Sequence, residues 1–227
     1  MRFLKQAFAA LSLSLLAAAA GASPASPQNG VDYRTLDKAQ QTDSGSKVEV
    51  TEFFWYACPH CYAFEPALEA WVKKQGDRIV FKRVPVMFRD DFVPLQKLYY
   101  TLEAMGKVEE LHKKAFDAIH KERRLAPAPT DAAIADWAAQ QGLDKQKFLD
   151  TYNSFSTLSK ARRAAQLQTA YQVDGVPLIA VEGRYLTSPS IVSTNMKNAP
   201  ENELQAGTLQ VMDWLVAKAA KEKTTKK

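Results

Sequence analysis

The run Val48-Glu49-Val50-Thr51-Glu52-Phe53-Phe54-Trp55-Tyr56 leads within two residues into Cys58-Pro59-His60-Cys61, and the residues that follow have helical spacing. This junction constrains the fold more than any other feature of the chain. A short β-rich apolar run is a buried strand. Pro59 suits the first position of a helix, where a missing N–H costs nothing and φ is preset. Cys61, Phe64, Leu68, Trp71 and Val72 then share one helical face. Pro66 interrupts this helix and is expected to kink it, because it has no N–H for the carbonyl of Tyr62. Gly76 marks the helix end, and Arg78 to Val86 reads as a second strand. Strand, helix, strand in this order is a parallel βαβ unit.

The rest of the chain organises around that unit. Arg2 and Lys5 precede an apolar stretch from Phe8 to Ala20, and Ala20-Gly21-Ala22 is a small-x-small cleavage signal. Residues 1–22 are therefore expected to be a secretory signal peptide, with an apolar run too short to span a membrane. Residues 23–46 are a Pro-, Gln-, Gly- and Ser-rich lead-in with Tyr33 and Leu36 as anchors. Residues 47–87 carry the βαβ unit. From 88 to 168 the pattern is helical throughout. Pro94 opens one helix, Val108, Leu111, Ala115 and Ile119 mark another, Thr130 caps a third, and Phe148 to Tyr171 supplies the remainder. Strands return in 169–227. There Val176 to Val181, a Glu182-Gly183 turn and Arg184 to Leu186 read as a hairpin. Leu204 to Ala220 is a last amphipathic helix before a lysine-rich tail. The expected fold class is α/β, one domain interrupted by an inserted all-helical domain.

Export places the chain in an oxidising compartment, where disulfides persist. The sequence holds 2 cysteines, separated by two residues. Closing so short a loop removes little unfolded-state entropy, so a Cys58–Cys61 bridge is better explained by its chemistry than by stabilisation. The formal net charge of +5 falls when Arg2 and Lys5 leave with the leader, and many lysines sit in the tail. That is a solvated tail rather than a nucleic-acid surface. No later stretch approaches ~20 apolar residues, so the mature chain is not expected to be membrane-embedded.

With Cys58 at the N-cap and Pro59 at the first helical position, the Cys58 sulfur faces the free N–H groups of His60 and Cys61 and the positive end of the helix dipole. A cationic or donating His60 adds to this. Cys58 is thus the expected low-pKa nucleophile and Cys61 the buried resolving thiol. A stabilised thiolate stabilises the reduced form, which makes the oxidised form ready to pass its disulfide on. Glu52 shares strand parity with Val48, Val50 and Phe54, so its carboxylate is expected to be desolvated, raised in pKa and able to exchange a proton with Cys61. Lys82, in the next strand, is its candidate partner. Pro177, in Gly175-Val176-Pro177, reads from sequence alone as a trans proline at a strand start. His112 and His120 lie roughly 12 Å apart on one helix and read as satisfied boundary histidines rather than ligands of one metal.

The leader, the run Glu52-Phe53-Phe54-Trp55-Tyr56-Ala57-Cys58-Pro59-His60-Cys61-Tyr62-Ala63-Phe64-Glu65, the helical insertion and Gly175-Val176-Pro177 together resemble the DsbA family of periplasmic thiol:disulfide oxidoreductases. The resemblance implies a thioredoxin fold with an inserted helical domain and no cofactor. It implies that Cys58 accepts the mixed disulfide, that Cys61 resolves it, and that the Val176–Pro177 bond is cis, packed on the disulfide with the Val176 backbone available to an extended substrate. Glu52, Glu65 and Lys82 match charged positions near the family's active site. The implied substrates are reduced, unfolded, newly exported polypeptides. The implied reoxidant is a quinone-linked inner-membrane protein of the DsbB type, and the implied compartment is the periplasm.

Two other readings compete with a disulfide donor. Cys-x-x-Cys with His60 is a possible site for a soft ion such as Cu(I), although a closed zinc site needs four ligands and there is no second Cys pair. The same fold also serves reductases and isomerases. Isomerases usually carry a dimerisation segment, which is not seen here, so a monomer is expected.

Overall fold

The computed structural model describes residues 25–225. The expected signal peptide and the last two residues of the tail lie outside them. The elements run β1 (Arg34–Thr35), β2 (Val48–Phe54), α1 (Pro59–Gln75), β3 (Ile79–Pro85), α2 (Val93–Ala104), α3 (Val108–His120), α4 (Asp131–Gln140), α5 (Lys145–Tyr152), α6 (Phe155–Ala170), β4 (Leu178–Val181), β5 (Tyr185–Thr187), α7 (Pro189–Val192) and α8 (Glu201–Thr225). The five strands form one sheet in the order β1-β5-β4-β2-β3. β2 and β3 are parallel, with Glu52 opposite Arg83, and the other pairs are antiparallel. This is the mixed sheet of a thioredoxin-like fold, with helices α2 to α6 inserted between β3 and β4.

The sheet is buried on both faces, as expected of strands with near-continuous apolar runs. On one face Val48, Val50, Ile179 and Val181 pack under Phe64, Leu68 and Trp71 of α1 and Val211, Met212 and Leu215 of α8. On the other, Phe53, Ala180 and Leu186 join the helical insertion through Leu95, Leu98, Ala161 and Ala164. The insertion therefore shares a core with the sheet. Aromatic edges tie the two at the end of β2: Phe54 meets Tyr56, Tyr99, His112 and Phe116 at centroid separations of 5.1 to 5.9 Å.

Two local features differ from the sequence reading. Helix α1 runs unbroken through Pro66 to Gln75. The lead-in supplies a strand that its composition did not suggest, because β1 pairs with β5 and the segment beyond it docks through its backbone, Gln40 N–H donating to the Gly183 carbonyl at 2.8 Å. Tyr33 and Leu36 anchor the segment, both buried.

Candidate active site

The end of β2 and the start of α1 hold the motif where the sequence put it. Cys58 is the N-cap of α1, in extended backbone, and Pro59 occupies the first turn. The Cys58 sulfur accepts the Cys61 N–H at 3.3 Å, and its thiol donates to the Val176 carbonyl at 3.4 Å. A sulfur in that position feels the free N–H groups and the positive pole of the helix. The Cys58 pKa is accordingly lowered to about 7, chiefly by hydrogen bonding to Cys61, with the backbone N–H groups and His60 adding to it against burial. Cys61 is fully buried, and burial followed by the neighbouring Cys58 pushes its thiol well above the ordinary value. One thiol is therefore ready to ionise near neutral pH, and its neighbour holds its proton.

The Val176–Pro177 bond is cis, which corrects the trans reading made from sequence alone and agrees with the family expectation. The loop carrying it places the Val176 carbonyl on the Cys58 sulfur. Beside it opens a cavity of about 710 Å³ lined by His60, Val176, Pro177, Ile191, Glu201 and Leu204, among others.

Beneath the motif lies a buried ionic cluster. Glu52 is almost wholly buried, and its Oε2 accepts from Arg83 Nε at 3.1 Å. Arg83 also donates through Nη2 to Glu65 Oε1 at 2.6 Å. His112 Nε2 lies 3.5 Å from the same Glu65 oxygen, and its Nδ1 is 2.8 Å from the Tyr56 hydroxyl. One guanidinium cannot neutralise two buried carboxylates, so the cluster favours keeping a proton. Burial, then the proximity of Glu65, raises Glu52 to about 8. Burial also raises Glu65, to about 7, and burial with the Arg83 charge drives His112 far below its ordinary value, so it is neutral. Glu52 thus favours its protonated form near neutral pH, and once ionised it is close enough for its charge to act on Cys61.

The expected partner of Glu52 needs correction. Lys82 does not pair with it. Lys82 stands opposite Thr51 in the β2–β3 register, on the other face of the sheet, and its ammonium pairs with Asp43 and with Glu49 Oε2, the latter at 2.8 Å. Parity decides this, because side chains one residue apart on a strand point to opposite faces. Arg83 is the cation the sequence reading missed, and counting the register from Val48 opposite Ile79 would have found it. Of the two histidines, His112 differs from expectation and His120 is the satisfied boundary residue expected. His112 is in the core rather than at its boundary. His120 stacks on Tyr62 at 4.8 Å and donates through Nε2 to the Tyr56 carbonyl at 2.8 Å.

Of the aromatic residues around the motif, Phe54 and Tyr56 are core, while Trp55 and Tyr62 are partly exposed. Trp55 stacks on Phe92 at 3.7 Å, and the Tyr62 hydroxyl donates to Asp117 at 2.9 Å. Among the described residues, no three His, Cys, Asp or Glu side chains converge as a metal site.

The chain is similar in sequence and fold to known proteins. The family model described as a DSBA-like thioredoxin domain matches residues 49–199. The thiol:disulfide interchange protein DsbA of Burkholderia cepacia is 47% identical over 214 residues, covering 94% of this chain and 95% of that protein. The protein of the same name from Bordetella pertussis is 40% identical over 212 residues, covering 91% and 96%. The crystal structure of Pseudomonas aeruginosa DsbA superposes with a TM-score of 0.75 at 36% identity, covering 87% of this chain and 96% of that one. That of the Xylella fastidiosa oxidoreductase DsbA gives 0.75 at 26% identity, covering 85% and 97%.

Proposed function

The chain belongs to the DsbA family and is a thiol:disulfide oxidoreductase, and from that premise we propose that Cys58, Cys61 and Glu52 divide the exchange between them. In the oxidised enzyme a substrate thiolate attacks Cys58 Sγ. The Cys58–Cys61 bond breaks, a mixed disulfide forms at Cys58, and the electron pair leaves on Cys61. Cys61 is the stronger base of the two sulfurs, and it takes the proton that Glu52 holds. A second substrate thiolate then attacks the substrate sulfur of the mixed disulfide and releases Cys58 as a thiolate. The substrate gains a disulfide and the enzyme becomes a dithiol, so two electrons have moved to the enzyme. A good leaving group speeds that second step, and a thiolate lowered to about 7 is one.

Pro59 and His60 support this by fixing the helix start and adding positive field at Cys58. Val176 and Pro177 bound the cavity beside the sulfur, where an extended substrate backbone can pair with Val176. Burial and the nearby Glu65 keep the proton on Glu52, while Arg83 opposes them and orients the carboxyl. Lys82 has no part in this assignment. The substrates are reduced, unfolded polypeptides newly exported to the periplasm, and reoxidation falls to an inner-membrane, quinone-linked protein of the DsbB type. The enzyme acts as a monomer.

The observation that carries this reading is the placement of the two cysteines, Cys58 at the cap of α1 with its sulfur accepting the Cys61 N–H and Cys61 fully buried one helical turn in. Mixed-disulfide trapping with an unfolded protein that carries a disulfide tests it, the remaining thiolate of each variant attacking that disulfide and releasing one of its sulfurs as a thiol. Cys61→Ala is expected to accumulate an adduct on Cys58, and Cys58→Ala to give none. Equal adducts from both variants would overturn the division of roles.

A further inference from the structure

The motif histidine is held by a residue far away in the chain. His60 Nδ1 lies 2.7 Å from Glu201 Oε1, the two being 141 positions apart. Glu201 is the first residue of α8, and it lines the same cavity as His60, Val176 and Pro177. Both side chains keep contact with solvent, at 69% and 48% exposure, so the pair contributes little to folding stability. Its effect is on the charge state of the imidazole.

We propose that Glu201 is a positioning residue for the exchange reaction: by holding Nδ1 of His60 it keeps that imidazole cationic beside Cys58, and so sets how strongly the fold favours the reduced, thiolate form. This rests on the reading of Cys58 as the exchanging thiol. The groups that face His60 can be named. Arg34, from β1, and Asp174, from the loop before β4, line the cavity too, but they pair with each other at 3.7 Å. Glu201, from α8, is the carboxylate hydrogen-bonded to His60, and Cys58 is the other titratable neighbour. The Glu201 carboxylate, accepting this hydrogen bond, raises the His60 pKa above its ordinary value of 6.5. Of the two members of the pair, it is the imidazolium whose charge helps lower Cys58.

The sign follows from which states carry the charge. Below 6.5 the imidazole is cationic with or without Glu201. Above its raised midpoint it is neutral in either case. Glu201 therefore changes the charge on the imidazole beside Cys58 only in the window between, which opens at 6.5 and runs upward from it. In that window, loss of the carboxylate removes positive charge from Cys58, destabilises the thiolate and makes the enzyme a weaker oxidant.

The test uses the full mature protein, with Glu201→Gln and Glu201→Asp. The His60 imidazole is titrated by NMR, the Cys58 thiolate by its ultraviolet absorbance, and the dithiol–disulfide equilibrium is measured against glutathione. Glu201→Gln is expected to return the His60 midpoint toward its ordinary value and raise that of Cys58. It should shift the glutathione equilibrium toward oxidised enzyme by about two- to threefold at a pH between the His60 midpoints of variant and wild type, with no such shift near about pH 5.5. Glu201→Asp is expected to recover much of the wild-type behaviour. An unchanged His60 midpoint, or an equilibrium shift of equal size at both pH values, would overturn the proposal. Exchange activity that survives Cys58→Ala would instead overturn the assignment of Cys58, and the His60 titration, which needs no substrate, separates the two failures.

Discussion

At the scale of single residues, the buried carboxyl of Glu52 makes two commitments. It delivers a proton to Cys61, so Glu52→Gln is expected to slow substrate oxidation near neutral pH by up to about 10²-fold and to flatten its pH dependence. Stopped-flow fluorescence across pH 5 to about 9 reads this, and rate profiles superposing on wild type would remove the role. The carboxyl also costs stability as pH rises. The folded state holds the Glu52 proton up to about 8 while the unfolded chain releases it at 4.5, so the native state binds more protons between those values and stability falls across them. Urea unfolding of Glu52→Gln should lack that part of the decline. The same method ranks the two cations. Arg83→Leu strands two buried carboxyls and should cost roughly 3–5 kcal/mol, whereas Lys82→Ala should cost about 1 kcal/mol. The reversed order would restore Lys82 as the partner. Cys58, Cys61 and Glu52 were legible because motif and parity act locally. Arg83 needed the register between two strands, and Glu201 needed the whole tertiary fold, since nothing in 141 positions of sequence separation announces the contact.

At the scale of elements, the βαβ unit and the helical block were readable because each element carries its own periodicity and its own stops. The cap of α1 is also the nucleophile, so one residue ends the strand-to-helix turn and performs the chemistry. Strand β1 was not readable, since it spans only Arg34–Thr35 and its pairing is decided by the hairpin it docks on. That hairpin turns through Glu182 and Gly183, at φ of 51° and 62°, a left-handed pair suited to a tight turn. At Gly183 the lead-in backbone also comes close, and a Cβ there would sit 2.3 Å from the Gln40 carbonyl oxygen. Gly183→Ala is therefore expected to destabilise by on the order of 1–3 kcal/mol and to expose the Gln40 amide. Hydrogen exchange at Gln40 checks it, and unaltered protection would mean that the lead-in is not held by this turn.

At the scale of the molecule, the fold is an α/β sheet whose two faces are sealed by different helices, with the redox motif at the end of β2, an interior strand. The sequence order of strands and helices carried that plan, while the shared core between sheet and insertion came only from packing. The whole arrangement makes one claim, that folding favours the Cys58 thiolate over the disulfide. The reduced fold lowers Cys58 from 9.0 to about 7. It therefore releases a proton that the unfolded chain keeps between those values, and the reduced protein gains stability as pH rises through them. The gain is about 2 kcal/mol by pH 8.5, offset slightly by the raised thiol of Cys61. The oxidised protein has no such thiol to titrate. The measurement to make is the thermal midpoint of the mature protein, oxidised and dithiol-reduced, in parallel from pH 6 to about 8.5. The predicted result is a reduced form that gains on the oxidised form as pH rises and melts above it at the alkaline end. An oxidised form that is the more stable throughout, by a margin that does not change with pH, would contradict a disulfide donor.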